Sequence, residues 1–207
     1  LSGSALLLAG SMILGFGIQN DAHSGILRLL SAYTSTSDGG ILAAALLGLF
    51  GMTLEGLCFF GIYRLMAERS PKCAHSYRSG IFGYLIFGVC GFHVPTCALV
   101  FLAKNGMADE LLMQYVARFI LPAFALFWIF FLILEITQIR AFAQGHTPYP
   151  KWCWIFSMPV GMLIAMLPNV FGNRPFVNAL SCAWIAFGSL WTFAGLLVMM
   201  KKAQKAQ

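Results

Sequence analysis

The sequence predicts an all-α integral membrane protein, a bundle of six transmembrane helices with both termini in the cytoplasm. Two observations carry this. Of the 207 residues, 59% are hydrophobic and 10% charged, with a mean hydropathy of +0.80, whereas a soluble domain carries about 25% charged residues. The few charges are also segregated, leaving apolar runs longer than the roughly 18 residues that mark a membrane helix. A strand barrel would show alternating segments of about 10 residues instead.

Each span needs about 20 apolar residues, because a helix rises about 1.5 Å per residue and the hydrocarbon is roughly 30 Å thick. The first, Leu1–Ile18, starts directly in an apolar run with no basic stretch before it. A secretory leader is therefore not expected, and a few leading residues are expected to be missing. Within Gln19–Gly40, Ile26, Leu27, Leu30 and Tyr33 recur at roughly helical spacing, an amphipathic stretch that lies on the surface or covers the bundle. The second and third spans are Ile41–Met66 and Gly80–Ala103. The fourth, Leu111–Phe142, would extend about 48 Å, which demands tilt, a kink or an interfacial extension. Pro122 supplies the kink by removing a bond to the carbonyl of Arg118. Trp152–Phe171 opens with Trp152 and Trp154 beside Tyr149, at the depth of an aromatic belt. Phe176–Met200 completes the six. Between them, Ser37-Asp38-Gly39-Gly40, Ser70-Pro71-Lys72, Lys104-Asn105-Gly106, Gln144 to Pro148 and Gly172 to Pro175 mark the turns.

Basic residues set the orientation, because cytoplasmic loops are enriched in Lys and Arg. Arg64, Arg69, Lys72, Arg78, Arg140, Lys151, Lys201, Lys202 and Lys205 fall on one side, and Arg28, Lys104, Arg118 and Arg174 on the other, which accounts for all 13. The net charge of +6 follows from this asymmetry and from contact with anionic lipid in the cell membrane, so no nucleic-acid partner is expected. No internal repeat supports an inverted-repeat transporter.

None of the six cysteines falls in a predicted outer loop, so disulfides are not expected, and those inside spans read first as small apolar packers. On the second span Gly48, Gly51, Glu55 and Cys58 form a small-residue stripe, and Gly83, Cys90, His93 and Cys97 approximate another on the third. Such stripes let helices approach closely and would pack these two spans together.

Glu55 lies ten residues from Leu65 and fourteen from Ile41, about 15 to 21 Å from either end, where an unpaired carboxylate costs several kcal/mol. His93, ten residues from Ala103, is about 15 Å deep. As a pair they would be an acid and base for chemistry on a lipophilic substrate, or a buried hydrogen bond that pins two spans. Cys90, His93 and Cys97 share only helical spacing, so no metal is expected, and no cofactor either. Thr96 is one turn from His93, with Pro95 freeing a carbonyl beside it. Trp128, deep in the fourth span, is packing first and a ligand-stacking surface second. Glu135 would snorkel or pair with Arg140. Arg118, Asn169, Asn173 and Asn178 would line a polar funnel leading down to His93 and Glu55.

Triads, phosphate loops and dinucleotide fingerprints are absent. The expected function is binding or transport of a small amphiphilic, lipid-like or cationic molecule in an intramembrane cavity, held by Glu55, Cys58, His93, Thr96, Arg118, Trp128, Asn169 and Asn178. One alternative is an intramembrane enzyme with Glu55 and His93 as catalytic pair. The other is an assembly subunit, in which the small-residue stripes make homo-oligomer contacts. Membrane lipid and a small lipophilic ligand are the expected partners.

The topology is directly testable. Single cysteines at Ser76 and Gln204 are expected to react with an impermeant thiol reagent from the cytoplasmic side, and those at Ser35 and Asn105 from the opposite side. Labelling of Ser76 and Asn105 from the same side overturns the six-span arrangement.

Overall fold

A computed structural model describes residues 1–205, with side chains as far as Met200. The side chains of Lys201, Lys202 and Lys205, counted above on the cytoplasmic side, and of Gln204 lie outside the described residues. Every regular element among the described residues is helical. In chain order these are α1 (Ser2–Gly15), α2 (Gly25–Tyr33), α3 (Asp38–Ala67), α4 (Pro71–Lys104), α5 (Asp109–Ala143), a short 3-10 segment (Lys151–Phe156), α6 (Met158–Phe171), α7 (Pro175–Cys182) and α8 (Trp184–Lys205). Helices α3, α4 and α5 are long and apolar enough to cross a membrane, and α7 with α8 makes a fourth if that pair, bent by 68°, is one span. The predicted first and fifth spans appear as shorter apolar helices, α1 and α6.

Local chemistry sets the helix ends. Ser37 caps α3 by accepting from the amide of Gly40 at 3.1 Å, and Asp38 in its first turn complements the helix dipole. Lys104 at the end of α4 reaches Asp38 at 2.8 Å and the carbonyl of Thr36 at 2.8 Å, which ties the two ends together.

The two prolines inside long helices leave the same signature. Residues Ile86–His93 of α4 and Val116–Ile120 of α5 are wound as π-helix. Val94 donates to Val89 and Leu121 to Val116, each five residues back and each directly before a proline, Pro95 or Pro122. A proline ring collides with the carbonyl four residues earlier, and widening the preceding turn relieves the collision without leaving the helix. The kink expected at Pro122 is thus a π segment.

Packing follows the glycines. In lipid there is no hydrophobic drive between helices, so close backbone approach and polar contacts hold them. Helix α1 runs antiparallel to α3, with Gly3 against Gly51 and Glu55, and Gly10 against Ala44 and Leu47. A Cβ on Gly51 would lie 2.6 Å from the amide nitrogen of Leu7. The predicted stripe on α3 is therefore shared: Gly51 takes α1, while Gly48 takes the His93 ring from α4. Helix α4 rests on α5 where Gly80 meets the backbone of Leu134, and α6 meets α8 at Gly161 and Gly188.

Gly51→Val is expected to destabilise the folded protein by about 1–3 kcal/mol, because its extra atoms meet backbone that cannot yield. Gly61→Ala, at a position with open space around it, should be neutral or raise stability by up to about 1 kcal/mol. Thermal unfolding in detergent checks this, and equal effects of the two substitutions would contradict the packing.

Candidate functional site

The polar residues of the spans divide into a buried hub and a cavity. At the hub, Glu55 is completely buried. The Tyr84 hydroxyl of α4 donates to one carboxyl oxygen at 2.9 Å, and the Ser189 hydroxyl of α8 donates to the other. One side chain thus joins α3, α4 and α8. Phe59 and Phe127 pack against the Tyr84 ring at 5.6 Å each.

Below it lies a second buried acid. Glu135 of α5 accepts from the backbone amide of Met158 at 3.0 Å and so satisfies one of the free donors at the start of α6. Gln138, one turn on, accepts from the Tyr77 hydroxyl at 2.6 Å. The sequence expectation of an interfacial Glu135 paired with Arg140 does not hold: Glu135 is buried and Arg140 exposed. A spacing of five residues puts the two about 140° apart around the helix.

The cavity lies at the other end of the bundle, where α2 sits. It encloses about 360 Å³. Ser11 comes from α1, Tyr33 from α2, His93 and Thr96 from α4, Phe124 and Phe127 from α5, and Cys182 and Trp184 from either side of the α7–α8 break. Met52 and Gly88 form its floor, one turn from Glu55 and Tyr84 respectively. Both π segments contribute to the wall, Gly88, Phe92 and His93 from one, Val116 and Ile120 from the other. Three departures from regular helix therefore border one space, and such bulges recur at functional sites.

Among the described residues, the cavity wall contains no Asp, Glu, Lys or Arg. Its exposed rim is apolar, with Leu29 43% and Leu121 48% exposed. Helix α2 supplies Ile26, Leu30 and Tyr33, so the amphipathic stretch covers the bundle. Burial beside Cys182 holds the Tyr33 phenol well above its ordinary range, so it stays a neutral hydroxyl.

Of the residues singled out in the sequence, His93 and Thr96 line this cavity. The His93 Nε2 lies 3.0 Å from the carbonyl oxygen of Ala44, over Gly48. Gly48 and Glu55 are seven residues apart on α3, about 10 Å along its axis, so the expected Glu55–His93 pair is not formed and each takes other partners. Thr96 has a buried hydroxyl without a partner. Cys58 and Trp128 pack in the hydrophobic core, Trp128 with its ring 5.9 Å from that of Trp184. Arg118 and Asn169 are exposed. Asn178 donates to the Gly17 carbonyl at 2.7 Å and to Asn173 at 2.8 Å, while Asn173 bonds the amide and carbonyl of Gln19. The two asparagines clamp the chain after α1 to α7 and form no funnel, because its exposed backbone groups take their polar atoms.

Of the other polar wall residues, the sequence marks Cys182 only as a small apolar packer and Ser11 not at all. The amphipathic spacing around Tyr33 was the one available signal.

The chain belongs to the Family of unknown function (DUF6796), whose model matches residues 1–203. No curated protein and no solved structure matches it.

The hub is open to a double-mutant cycle. Tyr84→Phe is expected to lose about 1–3 kcal/mol of stability, because it leaves a buried carboxyl oxygen unpaired. In a Glu55→Leu background the same change should cost at least about 1 kcal/mol less. Equal losses in both backgrounds, measured by unfolding in detergent, would show that the Tyr84–Glu55 bond does not hold the helices.

Proposed function

We propose that this protein binds a small, uncharged and mostly apolar molecule from the membrane in the cavity between α1, α2, α4, α5 and the α7–α8 break. The observation that carries this reading is the convergence of both π segments and the helix break on one part-open cavity whose wall carries no charged side chain. Binding sites are typically apolar concavities of about 300–1,000 Å³ with a few placed polar groups. Ordinary packing would close such a space, since voids lose dispersion contacts on every wall.

In the six-span arrangement α1 and α6 cross as short helices, both termini are cytoplasmic, and α2 covers the outer end. The cavity then lies in the outer half of the membrane, and its apolar rim at Leu29 and Leu121 faces acyl chains. A ligand enters sideways from lipid. The charge-free wall argues against a cationic ligand balanced by Glu55, which sits beneath the floor. The separation of Glu55 from His93 argues against an acid–base pair shared by one substrate atom.

Organic extracts of the purified protein, analysed by mass spectrometry, are expected to contain one small lipophilic species at near-stoichiometric amount. Ser11→Phe, which places a ring in the cavity, should remove that species while leaving the unfolding temperature within a few degrees. Extracts from folded parent protein that hold only bulk lipid, or an undiminished species in folded Ser11→Phe, would overturn the proposal.

A further inference from the structure

We infer that the ligand of this cavity is a lipophilic alcohol, bound by its hydroxyl between Nδ1 of His93 and the hydroxyl of Thr96; the inference rests on the binding role proposed above. The tautomer of His93 follows from its partner. A carbonyl oxygen only accepts, so Nε2, 3.0 Å from the Ala44 oxygen, carries the proton. In a neutral imidazole the other nitrogen is then an acceptor. The ring atoms nearest Gly48 are Nε2, Cδ2 and Cε1, which leaves Nδ1 on the edge turned away from α3, in a residue of the cavity wall. Among the described residues it has no hydrogen-bond partner.

Thr96 lies three residues further along α4, on the same face, where side chains stand about 5–6 Å apart at Cβ. It borders the same cavity, and its hydroxyl makes no bond. In a regular helix a threonine hydroxyl can bond the carbonyl three or four residues back. Here the residues behind it belong to the π segment, and that bond is not made. One acceptor and one hydroxyl on adjacent turns match a ligand atom that both donates and accepts. A hydroxyl does so on a single atom, with no charge to be balanced. An ether or ketone of the same size would leave Nδ1 unpaired. An ammonium or carboxylate would meet a wall without a counter-ion.

The test is photolabelling of the whole purified protein in lipid nanodiscs by myristyl alcohol carrying a diazirine on its chain, followed by peptide mapping. Competition uses plain myristyl alcohol, myristyl methyl ether, which accepts but cannot donate, and tetradecane. Label is expected on α2 and on the residues around the α7–α8 break. The alcohol should compete at a concentration roughly three- to tenfold lower than the ether, the worth of one neutral hydrogen bond. That difference should vanish in His93→Phe, whereas Thr96→Val, an isosteric change that keeps the inference testable if the histidine variant does not fold, should shrink the lead of both alcohol and ether over tetradecane, because both accept from the Thr96 hydroxyl. If alcohol, ether and alkane compete equally, or the alcohol keeps its full lead over the ether in folded His93→Phe, or alcohol and ether keep their full lead over tetradecane in Thr96→Val, the hydroxyl inference is overturned while cavity binding stands. If no saturable label reaches the cavity, the binding role itself fails.

Discussion

Two prolines, Pro95 and Pro122, each delete a backbone donor inside a helix long enough to cross hydrocarbon, and the shape of the cavity end follows from how that loss is absorbed. Lipid offers no water to a freed carbonyl, so the chain must repair its ladder internally or place the fault against protein or a cavity. Both helices widen by one residue just before the proline. A widened turn alters the azimuth of every side chain beyond it. His93, the last residue of one π segment, is thereby set over Gly48 with Nε2 on the Ala44 carbonyl. Val116 and Ile120, from the other, line the same space.

The acids serve a different end. Glu55 and Glu135 are both buried at membrane depth, yet neither lines the cavity. Glu55 receives hydroxyls from two helices, and Glu135 receives the first amide of a third. Without a hydrophobic drive between helices in lipid, such bonds specify which faces meet. The division places directional polar contacts below the floor formed by Met52 and Gly88, and neutral, sparsely polar walls above it. A charge-free pocket beside a polar hub favours uncharged guests.

The helical class and the long apolar segments were legible in composition alone. So was the irregularity at Pro95 and Pro122, since proline removes a donor in any helix. The small-residue stripe on α3 was visible, but its division between α1 at Gly51 and His93 at Gly48 was not, because spacing gives a face and not a neighbour. The site proved harder to read. Glu55 drew attention as a midmembrane acid, and its hydroxyl partners, 29 and 134 residues away in sequence, carry no local mark. The break at Ala183 between α7 and α8 has neither proline nor glycine beside it, so nothing local announced the feature that opens one wall. Asn173 and Asn178 looked like a polar path because their backbone partners at Gly17 and Gln19 lie more than 150 residues away.

If proline-induced widening makes the cavity, restoring the donor should close it. The most direct measurement is ligand occupancy of purified Pro95→Ala, read as the amount of co-extracted lipophilic species per protein, alongside its unfolding temperature. The account predicts a protein at least as stable as the parent, since alanine is favoured over proline by about 3 kcal/mol in a helix interior, with occupancy reduced severalfold. Occupancy equal to the parent's in a folded Pro95→Ala protein would contradict it.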